Sequence, residues 1–306
     1  MVYYSFNQFL RERFGERVQK ITLDAGLTCP NRDGTKGTGG CIYCDIRGSG
    51  NSNSQRYPDI KTQVETGKNF LAKRYKARKF IAYFQSFCNT YAPPEQLKNL
   101  YDQAVSVPGV VGLSIATRPD CLSEQVLDLI AGYADRLMVW LELGLQSSSD
   151  ATLKRIHRGH TFRQFIQGYE LARKYPLLTC VHIILGLPGE THQDMQKTAR
   201  DLSVLHPAGV KIHSLYVSKN TALEKMYRKK KFIPFSREDF VASACDTLEI
   251  LPETTVIHRL TGDPRPEELV APQWTLEKNR TLDRIIEEMK RRNSRQGKKN
   301  EHSRNG

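Results

Sequence analysis

Six short runs of β-branched, aromatic and leucine residues recur between positions 21 and 217, with helical stretches between them. They read ITLDA (21–25), FIAYF (80–84), VGLSIA (111–116), LMVWLEL (137–143), CVHIILG (180–186) and VKIHSLYV (210–217). Amphipathic segments lie near 61–78, 95–105, 123–133, 162–174 and 192–205. This alternation predicts an α/β fold of parallel strands joined by crossover helices. The runs are apolar on both faces, as a covered parallel sheet requires. Ser123 and Thr161 stand where helix N-caps belong.

After Tyr216 the pattern changes. A basic helical region (222–231) and a second helix (236–250) lead to TTVIHRLTGD (254–263), a proline-rich stretch and a charged helix at 275–292. A chain of 306 residues holds one barrel-sized domain and a smaller addition. The expected division is a body at 1–220, a small α/β extension packed on it at 221–292, and a basic disordered tail at 293–306.

The net charge of +13 is unevenly spread, because positions 290–306 hold seven Lys or Arg and one Glu. Two further basic runs, KRYKARK (73–79) and RKKK (228–231), read either as solvated helix faces or as patches facing a polyanion. No apolar stretch approaches the roughly 20 residues of a membrane span. The first residues lack a basic segment followed by an apolar one. An odd cysteine count of seven argues for reduced thiols. A cytoplasmic protein with no membrane partner is expected.

Three of those cysteines, Cys29, Cys41 and Cys44, fall within CPNRDGTKGTGGCIYC (29–44). Thiols at short spacing bind zinc or iron–sulfur clusters. A structural zinc site wants a fourth Cys or His nearby, and the nearest candidates are Cys88 and His157. Three ligands suit a 4Fe–4S cluster whose fourth iron stays open, the mark of a reactive site. Glycines let the loop wrap such a cluster and offer it backbone N–H groups.

Cys41-Ile42-Tyr43-Cys44 resembles the end of the radical S-adenosylmethionine (SAM) signature. The eleven residues between Cys29 and Cys41 exceed the common spacing of three, a departure found in the Elongator-catalytic-subunit-like branch. LDAGLTCPNRDGT, YFQSFCNTYAP, IATRPDCL, LELGLQS, IHRGHT, LGLPGET and HRLTGDP follow in order, and together they resemble the YhcC/YtqA-like radical SAM family. That resemblance implies a partial six-stranded (β/α) barrel, with chemistry at the C-terminal ends of its strands. It implies that Cys29, Cys41 and Cys44 ligate three irons and that SAM chelates the fourth. A one-electron reductant such as flavodoxin or ferredoxin is implied with them.

By the same resemblance Tyr43 lines the adenine site, or simply anchors its loop. Gln85 and Ser86 stand where the SAM amino end is held. Glu142 and Gln146 stand where ribose or methionine is reached, and Glu142 needs a partner if buried. Arg158 pairs with the SAM carboxylate or in a structural salt bridge. Gly186 lets backbone approach the adenine, or serves turn chemistry alone. Tyr216 supports the adenine or fills the core, and Lys79 contacts the cofactor or belongs to its basic run. Arg118 and Asp120 bind substrate or pair with each other. His258, Arg259 and Asp263 form a polar group able to cover the barrel mouth. Cys88 follows an active-site strand, whereas Cys121, Cys180 and Cys245 read as packing residues, and His206 and His213 as ordinary core or surface histidines.

The function this implies is modification of the 5-substituent of wobble uridine in tRNA, such as 5-carboxymethylaminomethyl to 5-aminomethyl. Alternatives are a radical SAM enzyme acting on a small molecule or peptide, and an iron–sulfur or zinc nucleic-acid-binding module.

Overall fold

The computed structural model describes residues 2–48, 57 and 59–300. Seven strands form one parallel sheet curled into a half-barrel: β1 (Val18–Leu23), β2 (Lys79–Phe84), β3 (Val110–Thr117), β4 (Met138–Gln146), β5 (Leu178–Leu185), β6 (Gly209–Ser214) and β8 (Val256–Arg259). A short strand β7 (Val217–Ser218) leaves this sheet and pairs antiparallel with β9 (Leu269–Ala271). Helices α2 (Ile60–Tyr75), α3 (Pro94–Val105), α4 (Glu124–Ala131), α6 (Phe162–Arg173) and α7 (His192–Leu205) provide the crossovers. The Ser123 hydroxyl accepts from Val126 N–H, and Thr161 closes a capping box with Gln164.

The six expected strands are all present, and a seventh joins the edge of the sheet. The additional strand lies inside the expected extension, reached through α8 (Ala222–Arg228) and α9 (Arg237–Ile250), and Gly209 of β6 pairs in parallel with Val256. VIHR is short and half polar, so its pattern alone does not announce a strand. The disordered tail is also corrected over 293–300. After α10 (Lys278–Arg291) the chain folds back, and Gln296 and Asn300 are buried. Gln296 accepts from Tyr4 N–H at 2.9 Å and donates to the carbonyls of Pro252 and Thr255 at 2.6 and 2.8 Å. Residues 301–306 lie outside the described residues.

The inner face of the sheet is layered because alternate residues of each strand point the same way. At the N-terminal end Val18, Ile81, Met138, Trp140, Cys180 and Val256 form an apolar layer. Helix α1 (Phe6–Phe14) seals that layer from below, with Phe6 and Phe9 edge-on to Trp140 at 5.8 and 5.6 Å between centroids. Two residues further along the strands stand Lys20, Tyr83, Ser114, Glu142, His182 and Lys211, a polar layer. Two residues further again, Thr22, Gln85, Ala116, Gly144, Ile184 and His213 line an open cavity. The outer face packs Phe80, Phe84, Leu113, Leu141, Val181 and Ile212 into the main core beneath the helices.

Gln296→Ala would leave a backbone N–H and two carbonyls without their partner. Equilibrium urea unfolding should show a loss of about 3 kcal/mol, because each orphaned buried group costs about 1–3 kcal/mol.

Candidate active site

The three cysteines of the glycine-rich segment all line one cavity of about 520 Å³ at the C-terminal ends of the strands. The N–H groups of Arg32 and Asp33 donate to the Cys29 carbonyl, and that of Cys44 donates to the Cys41 carbonyl. Ile42 N–H donates to Ile156 O, which ties the loop to the segment after α5 (Asp150–Arg155). Gly40 has φ +77°, and a Cβ there would meet Arg32 Nε at 2.8 Å, so the turn excludes a side chain.

Arg158 is buried beside the thiols. Its Nη1 donates to Cys41 Sγ at 3.6 Å and its Nη2 to Gly144 O at 2.6 Å, while Asn31 Nδ2 reaches the same sulfur at 3.7 Å. Arg118 braces it from behind by donating to Arg158 O at 2.8 Å, and forks onto both Asp120 oxygens at 2.9 Å. Burial opposes ionisation of Asp120, yet the Arg118 fork holds its carboxyl down at about 2. Of the two readings of Arg118 and Asp120, the structure shows pairing. Burial raises the Cys29 thiol, and Arg118 and Arg158 pull the other way.

This set fits a 4Fe–4S cluster. It offers three thiols, cationic and amide donors to sulfur, and a side facing open cavity. A bulge between Gly144 and Gln146 brings Gln146 into the same wall with φ +81°, an uncommon conformation for a residue with a side chain. A Cβ on Gly144 would stand 2.5 Å from Arg158 Nη2 and 2.7 Å from Gln146 Nε2, so glycine there admits both side chains.

Tyr43, Gln85, Glu142 and Tyr216 also line the cavity. Glu142, however, is fully enclosed, and protein donors take both its oxygens. Oε1 accepts from Lys20 Nζ and Ser114 Oγ, each at 2.5 Å, and Oε2 from His182 Nε2 at 2.6 Å and Lys211 Nζ at 3.0 Å. Its expected contact to the cofactor is corrected on this ground: its acceptor sites are already filled. Burial works against the charge, but the two lysines hold its carboxyl well below the usual range. Glu142, Cys180 and His258 place possible ligand atoms within 4.8 Å of one another, and the two ammonium groups on the carboxylate fill the place a metal cation would take.

Lys79 is corrected as well. It starts β2, so it sits at the opposite end of the barrel, where Nζ pairs with Glu16 and donates to Phe14 O, both at 3.1 Å. Ser86 and Gly186 lie outside the cavity wall. Ser86 is buried with its hydroxyl unpartnered among the described residues, and Gly186 turns the chain after β5 at φ +84° against the Phe235 ring. Cys88 is enclosed, 3.1 Å from the Thr117 hydroxyl. Arg259 and Asp263 do reach the mouth, whereas His258 lies below it, stacked on Phe6 at 4.0 Å. Lys20, His182, Lys211 and His213 were not expected at the site. Their signal is a charged or imidazole side chain at inward positions of VQKITL, LTCVHIIL and GVKIHS.

The Radical SAM superfamily profile matches residues 32–202, and a Radical_SAM C-terminal domain profile matches 207–291. The chain belongs to the radical SAM superfamily. It is therefore a radical SAM enzyme, of a superfamily that uses a 4Fe–4S cluster and SAM. It is 42% identical to the uncharacterized protein YtqA of Bacillus subtilis, over 97% of this chain and 92% of that one. A tRNA uridine(34) acetyltransferase of Methanocaldococcus infernus is 27% identical over 50% of this chain and 29% of its own length. The solved Elp3 of Methanocaldococcus infernus superposes with a TM-score of 0.71 at 19% identity, over 91% of this chain and 64% of that structure. That likeness is one of fold.

Anaerobic reconstitution should load one 4Fe–4S cluster per chain, and Cys41→Ala should abolish it by iron assay and visible absorption. Full loading of a variant lacking all three thiols would show the ligands to be elsewhere. Separately, Glu142→Gln leaves the buried ammonium of Lys211 and the half-buried one of Lys20 without their carboxylate and should cost about 3–5 kcal/mol in urea unfolding. The wild-type stability held in this carboxylate is present above its ordinary pKa near 4.5 and is lost as pH falls below it toward the depressed value.

Proposed function

We propose that the enzyme modifies the 5-substituent of wobble uridine in tRNA, removing the carboxymethyl portion of 5-carboxymethylaminomethyl uridine to leave 5-aminomethyl; SAM would take the two electrons of the methylene C–H bond, ending as methionine and 5′-deoxyadenosine, and water would then cleave the resulting imine C=N bond to release glyoxylate. The observation that carries this reading is the position of the second basic run. Helix α8 packs against the cluster loop, with Leu223 N–H donating to Ile42 O at 2.8 Å and Met226 and Tyr227 in the same apolar cluster as Ile42 and Tyr43. Lys225, Lys229, Lys230 and Lys231 of this region are exposed. The run at 73–79 leads instead into the N-terminal end of β2, on the far side. A phosphate backbone meeting the second run would lie near the cysteine loop and the cavity it lines, where a splayed base can enter. The relative named for tRNA uridine(34) supports the same substrate class.

Cys29, Cys41 and Cys44 would hold the cluster. With SAM bound there, the site would supply hydrogen abstraction from the substrate after one-electron reduction by a flavodoxin- or ferredoxin-like donor. The chain's own part is to place the reacting groups and keep water away. Arg158 fixes Cys41, and Gln146, Tyr43 and Tyr216 wall the upper cavity. Helix α1 and Trp140 close its lower end.

Binding of tRNA should weaken with salt, with a log–log slope of about −0.7 to −0.9 per neutralised phosphate. Paired reversal of Lys229 and Lys231 to Glu should reduce affinity more than the same change at Arg74 and Lys76. Release of 5′-deoxyadenosine by the reduced holoenzyme should rise with added tRNA. Salt-insensitive binding together with turnover indifferent to tRNA would leave the radical chemistry standing and point to a small-molecule or peptide substrate.

A further inference from the structure

Beneath the cysteines the cavity narrows onto a polar layer whose charges do not balance. Glu142 is the carboxylate of that layer, and Lys20 compensates it from the sealed side: Lys20 Nζ lies between the rings of Phe6 and Tyr83, 4.6 Å from each centroid. Lys211 reaches the same carboxylate from the cavity side, where it forms part of the wall. Its charge is therefore in excess. Arg259 stands beside it on the next strand, paired in register with Lys211, and also lines the cavity. Its own partner is Asp263 at 3.2 Å, a half-exposed carboxylate shared with Lys278. Among the described residues no other carboxylate lines this cavity. His182 donates to Glu142, burial holds His182 neutral with a pKa near 4, and burial and nearby cations push His213 well below its ordinary value. The Tyr83 hydroxyl accepts from Lys211 at 2.8 Å and stays protonated, its ionisation opposed by burial and then by Glu142.

An enclosed ammonium ion with one carboxylate shared between two lysines is costly unless another anion joins it. Lys211 registers that cost, its pKa lowered to about 8 by burial, and at neutral pH it remains mainly charged. We infer that the inner end of the cavity is an anion receptor built from Lys211 and Arg259, and that it takes the carboxylate of the substrate side chain. The identity of that carboxylate rests on the tRNA reading above; the receptor itself does not. SAM's own carboxylate is a poor occupant. Lys211 lies three residues before the end of β6, about 10 Å inward at roughly 3.3 Å per residue, whereas the cysteines sit on a loop beyond the end of β1. A uridine side chain projecting past the cofactor reaches inward with its charged end first. The receptor would fix that end and leave the methylene next to it facing the radical source, so it both selects the acid and orients the bond to be attacked.

The test uses reconstituted holoprotein with SAM and two nucleosides, 5-carboxymethylaminomethyluridine and its methyl ester, with affinities measured by calorimetry. Wild type should prefer the acid by about tenfold or more, as expected for a charge-assisted contact. Lys211→Met should erase that preference, and Arg259→Gln should reduce it, with ester affinity and iron content unchanged. A preference retained in both variants would overturn the receptor. So would a loss of SAM affinity in Lys211→Met as large as the loss for the acid, which would assign the cation to the cofactor. A second arm separates the two levels of the reading. If neither nucleoside binds, but N-acetylglycine raises the wild-type Tm more than its uncharged amide does, and not in Lys211→Met, the receptor stands and the uridine substrate falls. Absence of both effects overturns the receptor.

Discussion

Glu142 lies at the centre of the sheet without solvent exposure, and four strands besides its own converge on its two oxygens: β1 through Lys20, β3 through Ser114, β5 through His182 and β6 through Lys211. In a flat sheet residues on β1 and β6 would stand about five strand spacings apart, near 24 Å. Meeting on one carboxylate requires the sheet to curl. The ion cluster is thus a determinant of curvature as much as of charge. An apolar layer could fill the same volume, often with equal stability, but it would not demand the same convergence of strands. Each donor occupies a distinct acceptor position, so a shift of one residue in any strand would turn its donor to the helix side.

The curl positions the upper cavity. Once the polar layer has drawn the strands together, their C-terminal ends form an arc. The cysteine loop crosses that arc, from the end of β1 toward the Arg158 braced against β4. Arg118 and Arg158, both buried, form a second tier in which one guanidinium holds the carbonyl of the other residue. Charge repulsion between them is relieved by Asp120 on one side and by sulfur on the other. The site is thus a sequence of charge layers: carboxylate with two lysines and the His182 imidazole, then His213, then arginines with thiols.

The helices and the first six strands were legible because burial on both faces leaves a long apolar trace, and the caps at Ser123 and Thr161 follow from local chemistry. The cysteines were legible through residue type and spacing. VIHR was not, because a four-residue edge strand carrying His and Arg has no periodicity to detect. Position along a strand was harder still. Lys79 and Lys211 both sit in apolar β runs, yet one begins its strand at the sealed end and the other faces the cavity. Only the register, in which Lys211 pairs with Arg259 and Lys79 with Val18, separates them. The partner that a buried Glu142 demanded was foreseeable in principle. Which residues supply it depends on four strands between 18 and 214 coming together, which no local window contains.

Tyr4 and Gln296 lie 292 positions apart and share a hydrogen bond, and Ile257 N–H donates to Tyr4 O on the other side. The segment before α1 is therefore held by parts of the chain made much later. Contacts of such sequence separation form slowly, since a long loop must close before they repay its entropy. During synthesis the cysteine loop emerges some 250 residues ahead of the latch. A growing chain thus passes through an interval in which the thiols and both arginines are present while the lower end of the barrel is unsealed. The contacts of Gln296 and Ile257 with Tyr4 then complete the floor below the polar layer.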